Sequence, residues 1–225
     1  MRQSQCHSGS DDDSCRESCT LCGGASEFFH KDSARRYFRC QGCRLVMADP
    51  RTWPTREDEK SYYDLHQNAP SDLGYRRFLN RIFEPLNARL AAKSRGLDFG
   101  SGPGPTLSVM FTEAGHIMQI YDPFYAPAPA VLQSQYDFVT ASEVVEHFHQ
   151  PGDEFAKLWS LVNPRGWLGI MTKRLRNPDS FTRWHYKQDP THVSFFSLET
   201  FHWLADHLQA ECTVHGDDVV LFQRR

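Results

Sequence analysis

The stretch Leu97-Asp98-Phe99-Gly100-Ser101-Gly102-Pro103-Gly104 constrains this 225-residue chain more than any other. Three alternating glycines separate a short apolar run from a segment with helical periodicity. Glycine lets a chain turn sharply off a strand and lets its backbone approach a ligand closely. The helix that follows offers unpaired N–H groups at its N-terminus. A strand, glycine loop and helix in that order belong to an open, mostly parallel sheet. The spacing is G-x-G-x-G, with Pro105 where a dinucleotide fingerprint carries its third glycine. Asp98 precedes the loop, a carboxylate better suited to a cationic ligand than to a pyrophosphate. Asp122, 22 residues beyond Gly100, ends the next strand, where an acid can accept hydrogen bonds from two ribose hydroxyls. The plainer readings are a turn cap for Asp98 and helix–strand packing for Gly104.

The rest of the chain agrees with an α/β reading. Short apolar runs predict strands near 95–99, 116–121, 137–141, 167–172, 211–215 and 218–223. Helices are expected near 105–114, 151–162 and 197–208. The second is expected to bury Phe155, Leu158, Trp159 and Val162. The third has Ser197 as N-cap and is expected to bury Leu198, Phe201, Leu204 and Leu208. Upstream, Phe78, Ile82, Leu86 and Leu90 recur every four residues, an amphipathic helix over about 75–93 that Pro85 should kink. A shorter helical patch falls near Arg56–Leu65.

With these residues in place, the run from Leu97 to Asp122 resembles the cofactor motif of class I S-adenosylmethionine methyltransferases. Tyr136-Asp-Phe-Val-Thr-Ala-Ser-Glu-Val-Val-Glu-His147 resembles their fourth strand and the loop after it. Leu161 to Ile170 resembles the turn into the fifth strand, and His192 to Leu198 the segment before the last helix. The likeness covers about 97–225. It implies a Rossmann-like methyltransferase sheet and S-adenosylmethionine as cofactor. Gly100, Gly102 and Gly104 would shape the methionine and ribose pocket. Asp98 would orient the loop or the cofactor's ammonium, Asp122 would hold the ribose, and Ser142 and Glu143 would line the cofactor near the sulfonium. One departure stands out. Only 14 residues separate Asp122 from Asp137, several of them Pro and Ala. The family's third strand and its adenine-contacting acid have no room there, which leaves Phe124 or Tyr125 to cover the adenine.

Four of the seven cysteines form two tight pairs, Cys19-Thr-Leu-Cys22 and Cys40-Gln-Gly-Cys43, with 17 residues between them. Paired C-x-x-C units at that distance read as a tetrahedral Zn²⁺ site. Gly23 and Gly42 would give such knuckles their backbone freedom. Four thiolates leave no open position for substrate, so the zinc is read as structural. Redox-active dithiols are the competing reading; Cys6, Cys15 and Cys212 are incidental thiols. The expected order is a disordered tail over 1–15, a zinc ribbon over 16–50, a linker and amphipathic helix over 51–94, and the methyltransferase domain over 95–225.

Methyl transfer from a sulfonium asks the protein to align donor and acceptor and to exclude water. A base is needed only where the acceptor must lose a proton. His147, His192 and Glu143 are the catalytic candidates. They come from the cluster after the fourth strand and from the polar, aromatic stretch Arg183–His192. A small molecule is the leading acceptor. The alternative is an RNA methyltransferase gripping its substrate through a basic front: Arg16–Gly96 carries 15 Lys/Arg against 10 Asp/Glu. That excess is small for a dedicated RNA binder. Tyr62, Tyr63 and Trp53 could wall an apolar pocket as readily as stack bases, so residues 19–96 are expected to cover the cofactor domain's mouth. A further alternative is a non-catalytic zinc-ribbon binding module. No apolar run approaches the roughly 18 residues of a membrane span. The polar start lacks the apolar core of a signal peptide, so the chain reads as cytoplasmic with no membrane partner. The sequence sets no oligomeric state.

Overall fold

The computed structural model describes residues 17–65 and 69–225; the tail expected over 1–15 lies outside them. The front folds as an antiparallel meander of β1 (Glu17–Ser18), β2 (Ala25–Lys31), β3 (Arg36–Cys40) and β4 (Val46–Ala48). Two helices follow, α1 (Arg56–Tyr63) and α2 (Leu73–Asn87). Thr55 and Asp58 form a capping box on α1, and Asp72 caps α2. The amphipathic helix therefore stops at Asn87 rather than running to 93. It passes through Pro85, whose missing N–H falls in the last turn.

The main sheet holds β5 (Arg95–Phe99), β6 (Ile117–Tyr121), β7 (Tyr136–Ser142), β8 (Val162–Met171), β10 (Ala210–His215) and β11 (Val219–Arg224), in the order β10-β11-β8-β7-β5-β6. The last four in that order run parallel, while β11 is antiparallel to both of its neighbours. Helices α3 (Thr106–Glu113), α4 (Pro151–Ser160) and α5 (Leu198–Leu208) connect them. On one face, Leu79, Ile82 and Leu86 of α2 meet Leu107 and Phe111 of α3 over Phe138, Met171 and Leu221. On the other, Phe155 and Leu158 of α4 join Phe201 and Leu204 of α5. Two helix expectations change. Val162 begins a strand rather than ending α4, and Leu198 is 40% exposed rather than buried.

The third strand is absent. Pro123, Pro127 and Pro129 remove N–H groups that a ladder would need; Ala126 makes an isolated bridge back to Asp122, and a 3₁₀ turn follows at Pro129–Gln133. β6 is thus the sheet's edge, with Ile117 55% exposed.

The front expected over 16–50 and the domain expected over 95–225 share one sheet and one core. β4 pairs with β9 (Ser194–Phe195), a strand that lies after β8 in the chain, so the front sheet is completed from the back half. The cysteines also share a core with the catalytic half: Cys19, Leu21, Cys40, Cys43 and Leu45 cluster with Phe148, Phe155 and Phe196. The 94/95 boundary divides the sequence but not the packing. Among the described residues, no helix is long and apolar enough to cross a membrane.

Candidate active site and cysteine cluster

Strand order reverses at β5, which has β6 on one side and β7 on the other. Ligand crevices in open α/β sheets form at such a switch point, beyond the carboxyl ends of the strands. A cavity of about 670 Å³ opens there, within the range of small-molecule sites. It is lined by the loops after β5 (Phe99–Gly104), β6 (Tyr121–Tyr125) and β7 (Ser142–Gln150), and by Asp189 and His192. Glu59 and Tyr63 of α1, and Tyr75 and Phe78 of α2, close it from the front.

Gly100 and Gly102 adopt left-handed backbone, φ 73° and 64°. At Gly100 a Cβ would sit 2.5 Å from Val144 Cγ2, so this position also needs a missing side chain where two loops press together. A Cβ at Gly102 would meet nothing within 4 Å; the backbone there faces open space. The Gly102 amide donates to Asp122 Oδ2 at 2.9 Å, while Asp122 Oδ1 accepts from the amides of Phe124 and Tyr125 at 2.8 and 3.0 Å. Asp122 therefore joins the two loops in addition to lining the cavity. A carboxylate has about four acceptor directions, so one remains for a ligand hydroxyl.

Asp98 does not line the cavity. It lies buried beneath the loop, accepting from Thr140 Oγ1 at 2.9 Å. It also accepts from the Ser108 amide, which caps α3, a helix with no capping side chain of its own. Burial pushes its carboxyl up to about 7, against those two hydrogen bonds. The geometry fits the loop-orienting role and not contact with an ammonium.

Glu146, His147 and His192, also in the cavity wall, bring their donor atoms within 4.8 Å of one another. Glu146 is fully buried; Tyr186 Oη donates to its Oε1, and its Oε2 has no partner. His147 Nδ1 lies 3.1 Å from the Thr191 carbonyl, and His192 Nδ1 2.7 Å from the Tyr186 carbonyl. A carbonyl only accepts, so each Nδ1 carries a proton and each ring turns its Nε2 away from that bond; His192 Nε2 lies 3.7 Å from Asp189 Oδ2. Burial holds His147 below its ordinary pKa, keeping it neutral. Three such groups can receive a proton or ligate a cation. Glu143, at φ 53°, is pushed up to about 9 by burial and then by the neighbouring Glu146 and Asp218. At neutral pH it holds a proton instead of taking one. Ser101 and Ser142, both lining residues, have hydroxyls without a hydrogen-bond partner, an unmet demand that a polar ligand would answer.

The structure thus gathers every expected cofactor and catalytic residue except Asp98 around one cavity. Trp53 is not among its walls; it lies against His149, ring centroids 4.6 Å apart. Sequence reading missed Glu59, Tyr75 and Tyr186. Only the i, i+4 spacing of Glu59 and Tyr63 on a capped helix offered a signal.

At the cysteine cluster, Cys19 and Cys43 sulfurs lie 3.4 Å apart, as do those of Cys22 and Cys40. All four fall within 4.8 Å of one another. A tetrahedral Zn²⁺ with bonds near 2.3 Å sets its sulfurs about 3.8 Å apart, so the set fits. The Leu21 and Gly24 amides donate to Cys19 and Cys22 sulfur, each at 3.4 Å, support of the kind that orients metal ligands. Gly23 takes the left-handed turn of the first knuckle. In the second, Arg44 at φ 65° does so, and Gly42 does not.

Residues 69–214 match the family described as a methyltransferase domain. A curated relative, the ubiquinone biosynthesis O-methyltransferase of Burkholderia cenocepacia, is 29% identical over 134 residues, covering 54% of this chain and 57% of the relative. The chain therefore spans little more than half the length of that relative. An O-methyltransferase family protein from Burkholderia thailandensis shares the fold at TM-score 0.50 and 15% identity, over 67% of this chain and 55% of that one. Magnesium protoporphyrin IX methyltransferase from Synechocystis PCC 6803, solved with bound SAH, does so at TM-score 0.50 and 13% identity, over 76% and 95%. With the switch-point cavity, these findings define a methyltransferase domain. The chain belongs to the methyltransferase domain family.

Proposed function

We propose that the protein transfers a methyl group from S-adenosylmethionine to a hydroxyl of a small, largely apolar acceptor. The observation that carries this is one cavity with two chemically different sets of groups in its wall. One is the loop Gly100–Gly104 with Asp122, and the other is the pair of rings His147 and His192, each held through Nδ1, beside Glu146. S-adenosylmethionine, when bound, supplies a methyl on a sulfonium, already activated for in-line displacement. Gly100, Gly102, Asp122, Ser101 and Ser142 are the residues we assign to hold it, with Phe124 and Tyr125 at the edge left open by the absent third strand. His147 and His192 take the hydroxyl proton. Tyr63, Tyr75 and Phe78 exclude water and favour an apolar acceptor. The O-methyltransferase names of the relatives agree with an oxygen acceptor.

The RNA alternative loses support at the residues it needs. Of Arg35, Arg36 and Arg39 on the front sheet, Arg35 is buried and Arg39 pairs with Glu199 at 3.0 Å. The family match over 69–214 weighs against a non-catalytic module. We assign Zn²⁺ to Cys19, Cys22, Cys40 and Cys43 as a structural ion. The test is transfer of labelled methyl into fractionated cell extract, with RNA digested in parallel. Label in a small-molecule fraction that survives digestion supports the proposal; label lost on digestion moves the protein to the RNA class.

A further inference from the structure

The cysteine-bearing front sheet contributes no residue to the cavity, yet one of its side chains reaches the segment that carries Asp189 and His192. Arg35 sits at the β2–β3 turn, where Asp32 Oδ1 accepts from the Ala34 and Arg35 amides. Its side chain is buried and bonds to no carboxylate. Nη1 donates to the carbonyls of Pro190 and His192 at 3.1 and 2.9 Å. Nη2 donates to those of Asp189, at 3.0 Å, and Lys187. Nε donates to Tyr37 Oη at 3.2 Å. A guanidinium has five N–H donors in a rigid fork, and all five are engaged.

The receiving segment, 185–192, opens with a 3₁₀ turn at His185–Gln188 and has no strand or α-helix to satisfy its buried carbonyls. Those carbonyls divide between two sides. The Tyr186 and Thr191 carbonyls accept from His192 Nδ1 and His147 Nδ1, fixing both rings. The carbonyls of 187, 189, 190 and 192 turn the other way and converge on Arg35. A second link runs beside it, where Lys187 Nζ meets Asp32 Oδ2 at 2.5 Å, with Lys187 only 6% exposed. The peptide planes that set the imidazoles are therefore the ones the guanidinium clamps.

We propose that Arg35 is a positioning residue for methyl transfer: it holds segment 185–192 so that the His147 and His192 rings keep their Nδ1–H bonds and present Nε2 to the acceptor. The inference rests on the reading of this cavity as a methyl-transfer site, and it gives the front sheet a part in that reaction. Lysine cannot substitute, because one ammonium has three donors and cannot span four carbonyls.

The test uses full-length protein labelled with ¹⁵N-histidine, the ring signals being assigned with His147→Gln and His192→Gln. Wild type should show two exchange-protected Nδ1–H resonances. Arg35→Ala and Arg35→Lys should lose both while S-adenosylhomocysteine affinity stays within about twofold, since the clamp lies away from the glycine loop. Millimolar guanidinium should restore them in Arg35→Ala. If the alanine variant does not fold, the lysine variant, which keeps charge and aliphatic stem, carries the same expectation. Resonances unchanged in a folded variant would overturn the proposal. So would resonances lost together with S-adenosylhomocysteine binding and not restored by guanidinium, because that pattern is general unfolding. Failure of wild type to bind S-adenosylhomocysteine would instead strike the functional reading and leave the clamp standing.

Discussion

The amide of Gly102 donates to the carboxylate of Asp122 across 2.9 Å, tying the loop after β5 to the loop after β6. Asp122 is thus both a candidate ligand for a ribose hydroxyl and the strap that shapes the glycine loop. Asp122→Ala should weaken S-adenosylhomocysteine binding by about 1.5–3 kcal/mol, the scale of losing hydrogen bonds to a charged group. Asp122→Asn, which keeps a carbonyl for the Phe124 and Tyr125 amides, should lose less. Calorimetric affinities equal to wild type in both variants would remove Asp122 from the site.

Gly100→Ala should be costly for two separable reasons. The backbone is left-handed there, and the new methyl would fall 2.5 Å from Val144 Cγ2. Together these are expected to cost about 1–3 kcal/mol of stability and to weaken cofactor binding. Adding Val144→Ala should return the steric part and leave the backbone part. Thermal melts of the single and double variants measure both, and no recovery in the double would show that the loops do not press together.

Much of this arrangement is legible in the sequence, and the reasons are local. The loop from Leu97 to Gly104, the acid at 122 and the two cysteine pairs each carry their meaning in spacing alone. The prolines between Asp122 and Tyr136 announced the missing strand. What stayed hidden depends on contacts distant in sequence. Nothing near Arg35 says that its partners lie more than 150 residues away, and nothing near Ser194 and Phe195 says that they complete the front sheet. For Asp98 the sequence leaves loop and ammonium both open, because it gives the position before the loop but not the burial beneath it.

That shared core changes what Cys40→Ser should do. Cys40 is buried and clusters with residues of the catalytic half. Cys40→Ser is therefore expected to lower the melting temperature of the whole protein in a single transition, rather than melt the front alone. Metal analysis of wild type purified without chelators should find one Zn²⁺ per chain. Less than about half an equivalent would count against the zinc assignment.

The raised pKa of Glu143 has a sign that can be checked. Its carboxyl moves from 4.5 in the open chain to about 9 in the fold, so the folded state holds a proton that the unfolded state gives up. This group's contribution to stability is full below 4.5 and is lost as pH rises towards 9. Glu143→Gln should flatten that decline. Melting temperatures of wild type and variant across that range should converge at the acid end and separate at the alkaline end, with the variant higher. Parallel curves would mean that Glu143 is ionised throughout.

The central claim, that this cavity binds S-adenosylmethionine, is tested most directly by calorimetric titration of the full-length protein with S-adenosylhomocysteine. One site per chain with a micromolar dissociation constant, weakened in Asp122→Ala, is the expected result. No heat of binding at millimolar ligand, from protein that still unfolds cooperatively, would contradict it.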